Sequence, residues 1–416
     1  MNIKATIDVT QAATRPSSET EASLKLHETI YSRSDPRGEI LFACPTFTRV
    51  YGFTWDELEG ASHQILRHPD MPRGVFWLFW NRLQQGLPVG MFLRNKGKTD
   101  LEDWVFILAH PCEGGYMSVE LKPTTELLGQ VQAIYDALAT KERNEGRSPE
   151  ESAKAFLESL KSLGFPDYDR FMAHALSGEM TARDTQLGQS GAAQGSEIEK
   201  IFVLADECEE LLGRMSIGFQ NIRAEPVNMR ILSNRLEGGG GPISSIAQNY
   251  EVMAKEMGDD LHQLDHGEIG VFDAIRGASV RGHFAILAAD LAGEAERQLI
   301  DALNAQQVDR EIAAGEIEAL HRHAAKLREQ AKAESRIILD RSTKLMDSCR
   351  SLRRRINGLD VVKLMCRVES GRLENFDASL LGIIDRLDRF HGEIGSSLAE
   401  VARHSQRIHR SSRNYL

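Results

Sequence analysis

The sequence predicts an α+β domain, in which an antiparallel sheet is flanked by helices, followed by an all-α bundle of long helices. Two residue types support this division. All four tryptophans lie before residue 105, and ten of the twelve prolines lie before residue 167. No proline occurs from residue 243 to residue 416. Because proline interrupts helices, its absence over this length permits very long ones.

The predicted sheet domain covers residues 25–125, where short apolar runs alternate with turn residues. Strands are predicted at residues 40–43, 89–94, 104–109 and 116–121. Residues 47–53 read as a short helix that ends at a glycine, and residues 74–85 as one amphipathic helix. This order, with helices inserted between the first strand and the last three, predicts a sheet that encloses a small pocket under helices.

The remaining residues divide into four further segments. Residues 1–24 are rich in Thr, Ser and Ala and are expected to be a disordered lead-in. Residues 126–184 read as a helical connector, and residues 185–195 as a flexible linker of Gly, Ser, Gln and Ala. Residues 196–416 carry apolar positions at spacings of three and four, the pattern of a long-helix bundle.

Composition narrows the class of protein. A net charge of -11 argues against nucleic-acid binding, which requires a basic surface. The five cysteines are scattered and lack metal-binding spacing, as expected in a reducing cytoplasm. No apolar run is long enough for a membrane span, and residues 1–21 lack the features of a secretory signal. We therefore predict a cytoplasmic protein with no membrane span.

One motif points to a family. It is Leu66-Arg67-His68-Pro69-Asp70-Met71-Pro72, followed in order by Phe79-Trp80, Gly86-Leu87-Pro88, Arg94-Asn95-Lys96, Asp103-Trp104-Val105 and Gly115-Tyr116-Met117-Ser118-Val119. Together these motifs resemble the PAS domain of bacterial aerotaxis receptors over residues 25–125. The predicted fold class is therefore an α+β PAS domain followed by an all-α long-helix bundle.

The resemblance implies a cofactor. The PAS pocket of that family holds flavin adenine dinucleotide (FAD), whose redox state reports on electron transport. Carried over by position, Arg67, His68 and Asp70 would lie beside the cofactor, and Trp80 and Asn95 would be further pocket residues. The chemistry is consistent, because a flavin ring needs an apolar slot and a few polar partners that tune its redox potential.

Three alternatives to a flavin site remain open from the sequence. His68-Pro69-Asp70 can be a turn and cap at the start of the next helix. The pocket can be empty or hold another small ligand. It can also hold heme, with His63 and His68 as candidate ligands, although single histidines are more often structural.

The helical half contains a second resemblance. The decapeptide at residues 228–237 resembles the hairpin tip of methyl-accepting chemotaxis proteins, and Gly238-Gly239-Gly240-Gly241-Pro242 follows as a helix stop. A fainter copy occupies residues 360–369, with a turn near residues 370–372. Two hairpins, with turns near 238–242 and 370–372, would form a four-helix bundle within one chain. Ordinary bundle core with a glycine turn is the alternative.

This second resemblance implies a protein partner. Asn228, Arg235 and Glu237 are the candidate partner-binding residues, and the partner would be a signalling protein such as a chemotaxis kinase or adaptor. A homodimer formed through the PAS domain or the bundle is left open. We find no catalytic or metal-binding motif in the sequence. The predicted function is a non-enzymatic signal transducer that senses redox state, oxygen or a small ligand, and the alternative is a non-sensing scaffold.

Overall fold

The computed structural model describes residues 23–98, 102–188, 193–237, 241–266, 270–371 and 378–413. Most of the predicted lead-in, residues 189–192 of the predicted linker, the glycines at 238–240 of the first predicted turn and residue 372 of the second lie outside these ranges. The chain divides into two compact units. The first combines Met1–Ala193 with His283–Gln330, and the second combines Gln194–Gly282 with Ala331–Leu416.

The first unit contains five strands, seven helices or helical turns before residue 187, and parts of two long helices among its described residues. The strands are β1 (Thr29–Ser34), β2 (Ile40–Ala43), β3 (Val89–Lys96), β4 (Glu102–Cys112) and β5 (Gly115–Leu121). The helices are α1 (Pro45–Tyr51), α2 (Trp55–Leu58), a 3-10 turn (His63–Leu66), α3 (Arg73–Gln84), α4 (Leu127–Glu145), α5 (Pro149–Ser162) and α6 (Tyr168–Gln186).

The five strands form one antiparallel sheet in the order β2-β1-β5-β4-β3. The predicted fold class and the four predicted strands are confirmed, with β3 and β4 longer than predicted. Strand β1 was missed, because its sequence, Thr-Ile-Tyr-Ser-Arg-Ser, carries polar residues that would be expected on a loop. Nevertheless five of its six residues are buried, since β1 lies between β2 and β5.

Helix α3 depends on a distant residue for its start. Proline occupies its N-cap position, and no side chain of its own caps the first turn. Instead, the buried carboxylate of Glu142 on α4 accepts hydrogen bonds from the backbone N–H groups of Arg73 (2.8 Å) and Gly74 (2.9 Å). A carboxylate is favourable there because a helix N-terminus carries unpaired N–H donors and partial positive charge. The connector helix thus fixes the position of α3.

One face of the sheet is covered by the predicted connector. Tyr135 on α4 donates a hydrogen bond to the carbonyl of Phe92 (3.1 Å), and Tyr168 on α6 donates one to the carbonyl of Gly90 (3.0 Å). Phe92 also packs against Phe171 on α6. Residues 126–184 therefore form three helices that belong to the same compact unit as the sheet.

A helical hairpin, residues 283–330, contacts the same sheet. It joins the end of α10 (Val271–Asn304) to the start of α11 (Arg310–Ser370). The buried carboxylate of Glu316 accepts a hydrogen bond from Tyr31 Oη (2.8 Å) and pairs with Arg33 (2.7 Å) on β1. Gln298 accepts a hydrogen bond from the backbone N–H of Thr29 (2.8 Å). The first unit thus includes residues that the sequence assigned to the bundle.

Another ion pair joins α6 to this hairpin. Arg183 is almost fully buried, and its guanidinium binds both oxygens of Glu294 at 2.5 and 2.6 Å. It also donates to the carbonyl of Leu26 (2.6 Å). A bidentate guanidinium pair fixes both distance and orientation. The connector, the hairpin and the segment before β1 are therefore held at one point.

The second unit consists of helices in its described part. They are α7 (Ala193–Ile222), α8 (Ala224–Glu237), α9 (Pro242–His266), α12 (Ala378–Arg413) and portions of α10 and α11. Residues 193–195 and 185–186 of the predicted linker belong to helices. A turn separates α7 from α8 at Arg223, since Pro226 cannot donate the hydrogen bond to the preceding turn.

Apolar contacts and one polar chain hold these helices together. Phe219 on α7 packs edge-on against Phe390 on α12, with ring centroids 4.9 Å apart. Tyr250 on α9 hydrogen-bonds His391 on α12 (2.8 Å), which in turn contacts Asp360 on α11 (2.7 Å). Four helices therefore meet in one bundle core. None of the described helices is both long and apolar enough to cross a membrane.

Glu316 provides a test of the sheet–hairpin contact. Replacing it with alanine leaves the Tyr31 hydroxyl and Arg33 without their buried acceptor, so Glu316→Ala should lower the free energy of unfolding by about 2–3 kcal/mol. Urea denaturation followed by tryptophan fluorescence measures this, because all four tryptophans lie in the first unit. Glu318→Ala, which removes an exposed partner of Arg322, is the matched control and should change little. Equal effects of the two variants on the free energy of unfolding would contradict the role of Glu316 in the sheet–hairpin contact.

Candidate functional site

A cavity of about 440 Å³ lies between α3, the 3-10 turn and the sheet, and Pro149 at the start of α5 is also a lining residue. This volume is in the range of small-molecule and cofactor sites. Its wall combines aromatic and aliphatic side chains with polar and charged ones. The lining side chains used below are His63, Arg67, Arg73, Phe76, Trp77, Trp80, Asn95, Tyr116 and Glu120.

Trp80 forms part of the aromatic wall. Its ring lies against Gly38, which has a φ of +82°, and a Cβ at that glycine would come within 2.6 Å of the indole. On its other sides it packs edge-on against Phe79 and Tyr116, with centroids 5.4 and 5.8 Å away. Only glycine at position 38 permits both the backbone conformation and the close approach. The indole is therefore held in place before any ligand binds.

A hydrogen-bonded chain through Tyr51 joins two polar lining residues, Asn95 and Glu120. Asn95 Nδ2 donates to Tyr51 Oη (2.7 Å), and Tyr51 Oη donates to Glu120 Oε2 (2.5 Å). All three residues are buried, and Glu120 is only 2% exposed. Burial raises the pKa of Glu120 to about 7, although the hydrogen bond from Tyr51 acts in the opposite direction. The cavity thus contains a carboxyl group that is protonated on the acid side of neutrality.

Arg67 enters the cavity from the loop after the 3-10 turn. Its backbone pairs with Asn95 in an isolated β-bridge, and its guanidinium lies over the Phe76 ring, 4.5 Å from the centroid. Desolvation lowers the pKa of Arg67 from its usual value, although the group stays a cation. Two predicted site residues, Arg67 and Asn95, are therefore joined directly.

The structure separates the five predicted cofactor residues into two sets. Arg67, Trp80 and Asn95 line the cavity, whereas His68 and Asp70 are not among its lining residues. His68 is buried and its Nδ1 accepts the backbone N–H of Asp70 (3.1 Å), while the Asp70 side chain is 64% exposed. The local turn predicted as an alternative is therefore present, but the predicted cap is not, because Pro72 occupies the N-cap position of α3 and Glu142 accepts its first N–H groups. Contact of any of the five with a cofactor stays a prediction.

Histidine chemistry at the cavity is limited to the neutral form. His63 lines the cavity, and burial lowers its pKa to about 4, so the imidazole is uncharged at neutral pH. It remains the lining residue that could act as a heme ligand. Across the described parts of the chain, no group of three or more His, Cys, Asp or Glu side chains is arranged to hold a metal ion.

The predicted partner-binding residues lie on α8. Asn228 and Arg235 are exposed, and the side chain of Glu237 lies outside the described residues. Their neighbour Met229 is buried, with its sulfur 3.4 Å from Cys366 Sγ on α11, so the two predicted hairpin copies lie side by side. Beside this contact, α11 exposes an apolar stripe at i, i+3, i+4 and i+7, formed by Val361, Leu364, Met365 and Val368.

The sheet order, the helices inserted between β2 and β3, and the enclosed cavity define the N-terminal domain as a PAS domain. It is a PAS domain of the aerotaxis-receptor type. The chain is 35% identical over 141 residues to the aerotaxis receptor of Escherichia coli strain K12, a match that spans 33% of this chain. It covers 27% of the receptor, so the chain matches about a quarter of that relative's length. The long helices that follow fit a signalling region.

Solved light-oxygen-voltage domains also resemble the chain. A structure from work with a flavin analogue is 21% identical with a TM-score of 0.22, covering 28% of this chain and 87% of that chain. The dark structure of the Aureochrome1 domain is 18% identical with a TM-score of 0.22, covering 29% and 87%. The Rhodobacter sphaeroides protein is 14% identical with a TM-score of 0.22, covering 35% and 89%. No protein-family model matches the chain.

Sequence reasoning did not find Tyr51 or Glu120. A charged residue in the middle of the apolar strand Ser118-Val119-Glu120-Leu121 was the available signal, because an unpaired carboxylate is rarely buried in a strand. Tyr51 carried no such signal, since a tyrosine at the end of a short helix is common. Only the fold brings it to the same point as Asn95 and Glu120.

The protonation of Glu120 predicts a pH dependence of stability. With a pKa of about 7 instead of 4.5, the folded protein keeps a proton that the unfolded chain releases between these pH values. The free energy of unfolding therefore falls as pH rises from about 4.5 to about 7. Glu120→Gln keeps an acceptor for Tyr51 without the ionisation. Its stability relative to wild type should therefore rise by about 3 kcal/mol between pH 4.5 and pH 8.

Denaturation curves of both proteins across this range, followed by tryptophan fluorescence, measure that difference. Buried His63 and His323, whose pKa values are lowered to about 4, destabilise the folded state on acidification. Because they titrate equally in both proteins, their contribution cancels in the comparison. Parallel stability profiles for wild type and Glu120→Gln would show that Glu120 ionises normally.

Proposed function

We propose that the PAS domain binds a flavin, FAD, in the 440 Å³ cavity, and that the chain is a cytoplasmic, non-enzymatic transducer of its redox state. The observation that carries the proposal is the coincidence of Arg67, Trp80 and Asn95 in one cavity. These residues were chosen on sequence resemblance alone. When bound, a flavin supplies reversible electron uptake, a reaction that side chains such as these do not provide.

The lining residues fit such a group. Trp77, Trp80 and Tyr116 supply aromatic surface for a flat ring, and Trp80 is fixed by Gly38. Asn95 and Glu120 supply hydrogen-bonding groups, and Arg67 supplies a cation for a carbonyl or phosphate. The chain's own residues thus provide shape, polar recognition and charge for a flavin.

Absorbance spectroscopy of the purified protein tests the cofactor. We expect a yellow protein whose flavin bands disappear on reduction. Trp80→Ala and Asn95→Ala should lower FAD affinity at least tenfold, because each removes part of the cavity wall. Trp55→Ala is the matched control, since Trp55 lies on α2 and is not a lining residue. A folded, colourless protein with no extractable cofactor would refute the proposal, and a Soret band would identify heme instead.

The route from cavity to helices runs across the β1–β5 ladder. Glu120 on β5 pairs with Ile30 on β1, and the next residue, Tyr31, contacts Glu316 on the hairpin. Successive strand residues face opposite sides of the sheet, so a change at the cavity and a change at the hairpin involve adjacent residues. We propose that the flavin redox state biases the packing of residues 283–330 in this way.

Hydrogen–deuterium exchange of the oxidised and reduced protein tests this route. Amides of residues 283–330 should change their exchange on reduction, and Tyr31→Phe should diminish the change because it removes the hydroxyl bond to Glu316. Tyr168→Phe, which removes an equally buried hydroxyl bond to Gly90, is the control and should leave the change intact. If hydrogen–deuterium exchange in this hairpin is the same in the oxidised and reduced protein, the non-sensing scaffold is favoured.

A protein partner at the predicted hairpin tips completes the proposal. Asn228 and Arg235 are exposed there, and the stripe of Val361, Leu364, Met365 and Val368 is at least half exposed at every position. Apolar residues at this helical spacing form a surface that another helix can cover. A signalling protein such as a chemotaxis kinase or adaptor would be the partner, with a second copy of this chain as the competing occupant.

A further inference from the structure

Glu120 lacks the cationic partner that two other buried carboxyl groups of the first unit have. Glu142 and Glu316 each contact an arginine, whereas buried Glu179 accepts hydrogen bonds from the backbone N–H groups of Thr124 and Thr125 and from a threonine hydroxyl. Among the described residues, no lysine, arginine or histidine forms an ion pair with Glu120. Its carboxyl accepts the hydroxyl of Tyr51 and lines the cavity.

The other titratable groups around the cavity do not neutralise it. From α3, Arg73 is directed to Glu142 (3.5 Å), and from the loop, Arg67 lies over the Phe76 ring. From the 3-10 turn, His63 is buried and uncharged at neutral pH. Tyr51 is neutral because burial, and next the charge of Glu120, raise its pKa well above the usual value. Asp103 on β4 also acts on Tyr51, and as another acid it cannot compensate a carboxylate.

The hydrogen-bond chain indicates which oxygen would carry a proton. The Tyr51 hydroxyl accepts a hydrogen bond from Asn95 and donates its own hydrogen to Glu120 Oε2. Oε2 is thus an acceptor, and a proton on the carboxyl is placed on Oε1. An ionised carboxylate without a cation in an apolar cavity is strongly disfavoured, whereas a neutral carboxyl is both acceptor and donor.

We propose that Glu120 binds the ligand of the cavity as a neutral carboxyl group, donating its O–H to an acceptor atom of a heteroaromatic ring, so that binding requires a proton. This inference rests on the proposed flavin site, because a flavin ring carries carbonyl and imine acceptors. It deepens that proposal by assigning the ligand chemistry that the carboxyl selects. A ligand that presents a hydrogen-bond donor at this point would face the O–H of the neutral carboxyl, which is itself a donor.

A pH dependence of affinity follows from this assignment. Burial raises the pKa of Glu120 to about 7, so the group changes protonation within the range in which the protein can be handled. Below the transition the donor is present and the affinity should be constant. Above it, one proton must be taken up for each ligand bound, so the dissociation constant should rise about tenfold per pH unit.

The test is titration of the full-length, cofactor-stripped protein with FAD between pH 6 and pH 8.5, followed by flavin fluorescence. Wild type should show the rise above about pH 7. Glu120→Gln should bind with a pH-independent dissociation constant within a few-fold of the low-pH wild-type value, because an amide N–H₂ donates without titrating. Glu120→Leu, which has no donor, should bind at least tenfold more weakly at pH 6.

An infrared measurement on the ligand-free wild type provides a readout that does not depend on FAD. A carboxylic-acid carbonyl band should be present at pH 6, absent at pH 8.5, and missing from Glu120→Gln at both. The band in wild type keeps the inference testable even if a variant fails to fold.

The outcomes separate the two proposals. FAD binding by wild type with a pH-independent dissociation constant, or an infrared spectrum without the carboxylic-acid band at pH 6, overturns the role of Glu120 while leaving the flavin site in place. A folded wild type that binds no FAD at any pH refutes the flavin site and this inference together.

Discussion

The sheet of the PAS domain is buried on both faces, and the rest of the first unit depends on this constraint. An antiparallel sheet commonly keeps one face in solvent, and its strands then alternate between polar and apolar residues. Here one face encloses the cavity, and the connector helices and the hairpin cover the other. Polar side chains of the central strands therefore depend on partners inside the protein, as Tyr31 does on Glu316 and Glu120 does on Tyr51.

This constraint explains what the sequence could predict. Strands such as 104–109, which are almost wholly apolar, were predicted because burial on both faces leaves a strong pattern. Strand β1 was not, because its hydroxyl, phenol and guanidinium groups contact residues distant in sequence, such as Gln298 and Glu316. Similarly, the cap of α3 by Glu142 joins residues about 70 positions apart and leaves no local signal.

The candidate site also contains residues that the sequence could predict and residues that only the fold identifies. The motif at Arg67 and the separated positions Trp80 and Asn95 could be chosen from linear resemblance, and the fold brings all three to one cavity. His68 belongs to the local turn instead, a competing role that the motif could not exclude. The hairpin at residues 283–330 was assigned to the bundle, because helical periodicity records which residues are buried but not which surface covers them.

The proposed transmission of a signal involves two buried carboxyl groups on opposite faces of one sheet. Glu316, outside the cavity, pairs with Arg33 and accepts a hydrogen bond from Tyr31, and these contacts fix the hairpin. Glu120, inside the cavity, has no such cation, so a bound ligand or its charge can change the protonation of this carboxyl with a small change in free energy. Only one step of the β1–β5 ladder separates Glu120 from Tyr31. A ligand can shift the hairpin only by the difference of its interaction energies with the two packing states, and couplings between sites amount to about 1–3 kcal/mol. A titrating carboxyl can supply this amount, because moving its pKa by one unit is equivalent to about 1.4 kcal/mol.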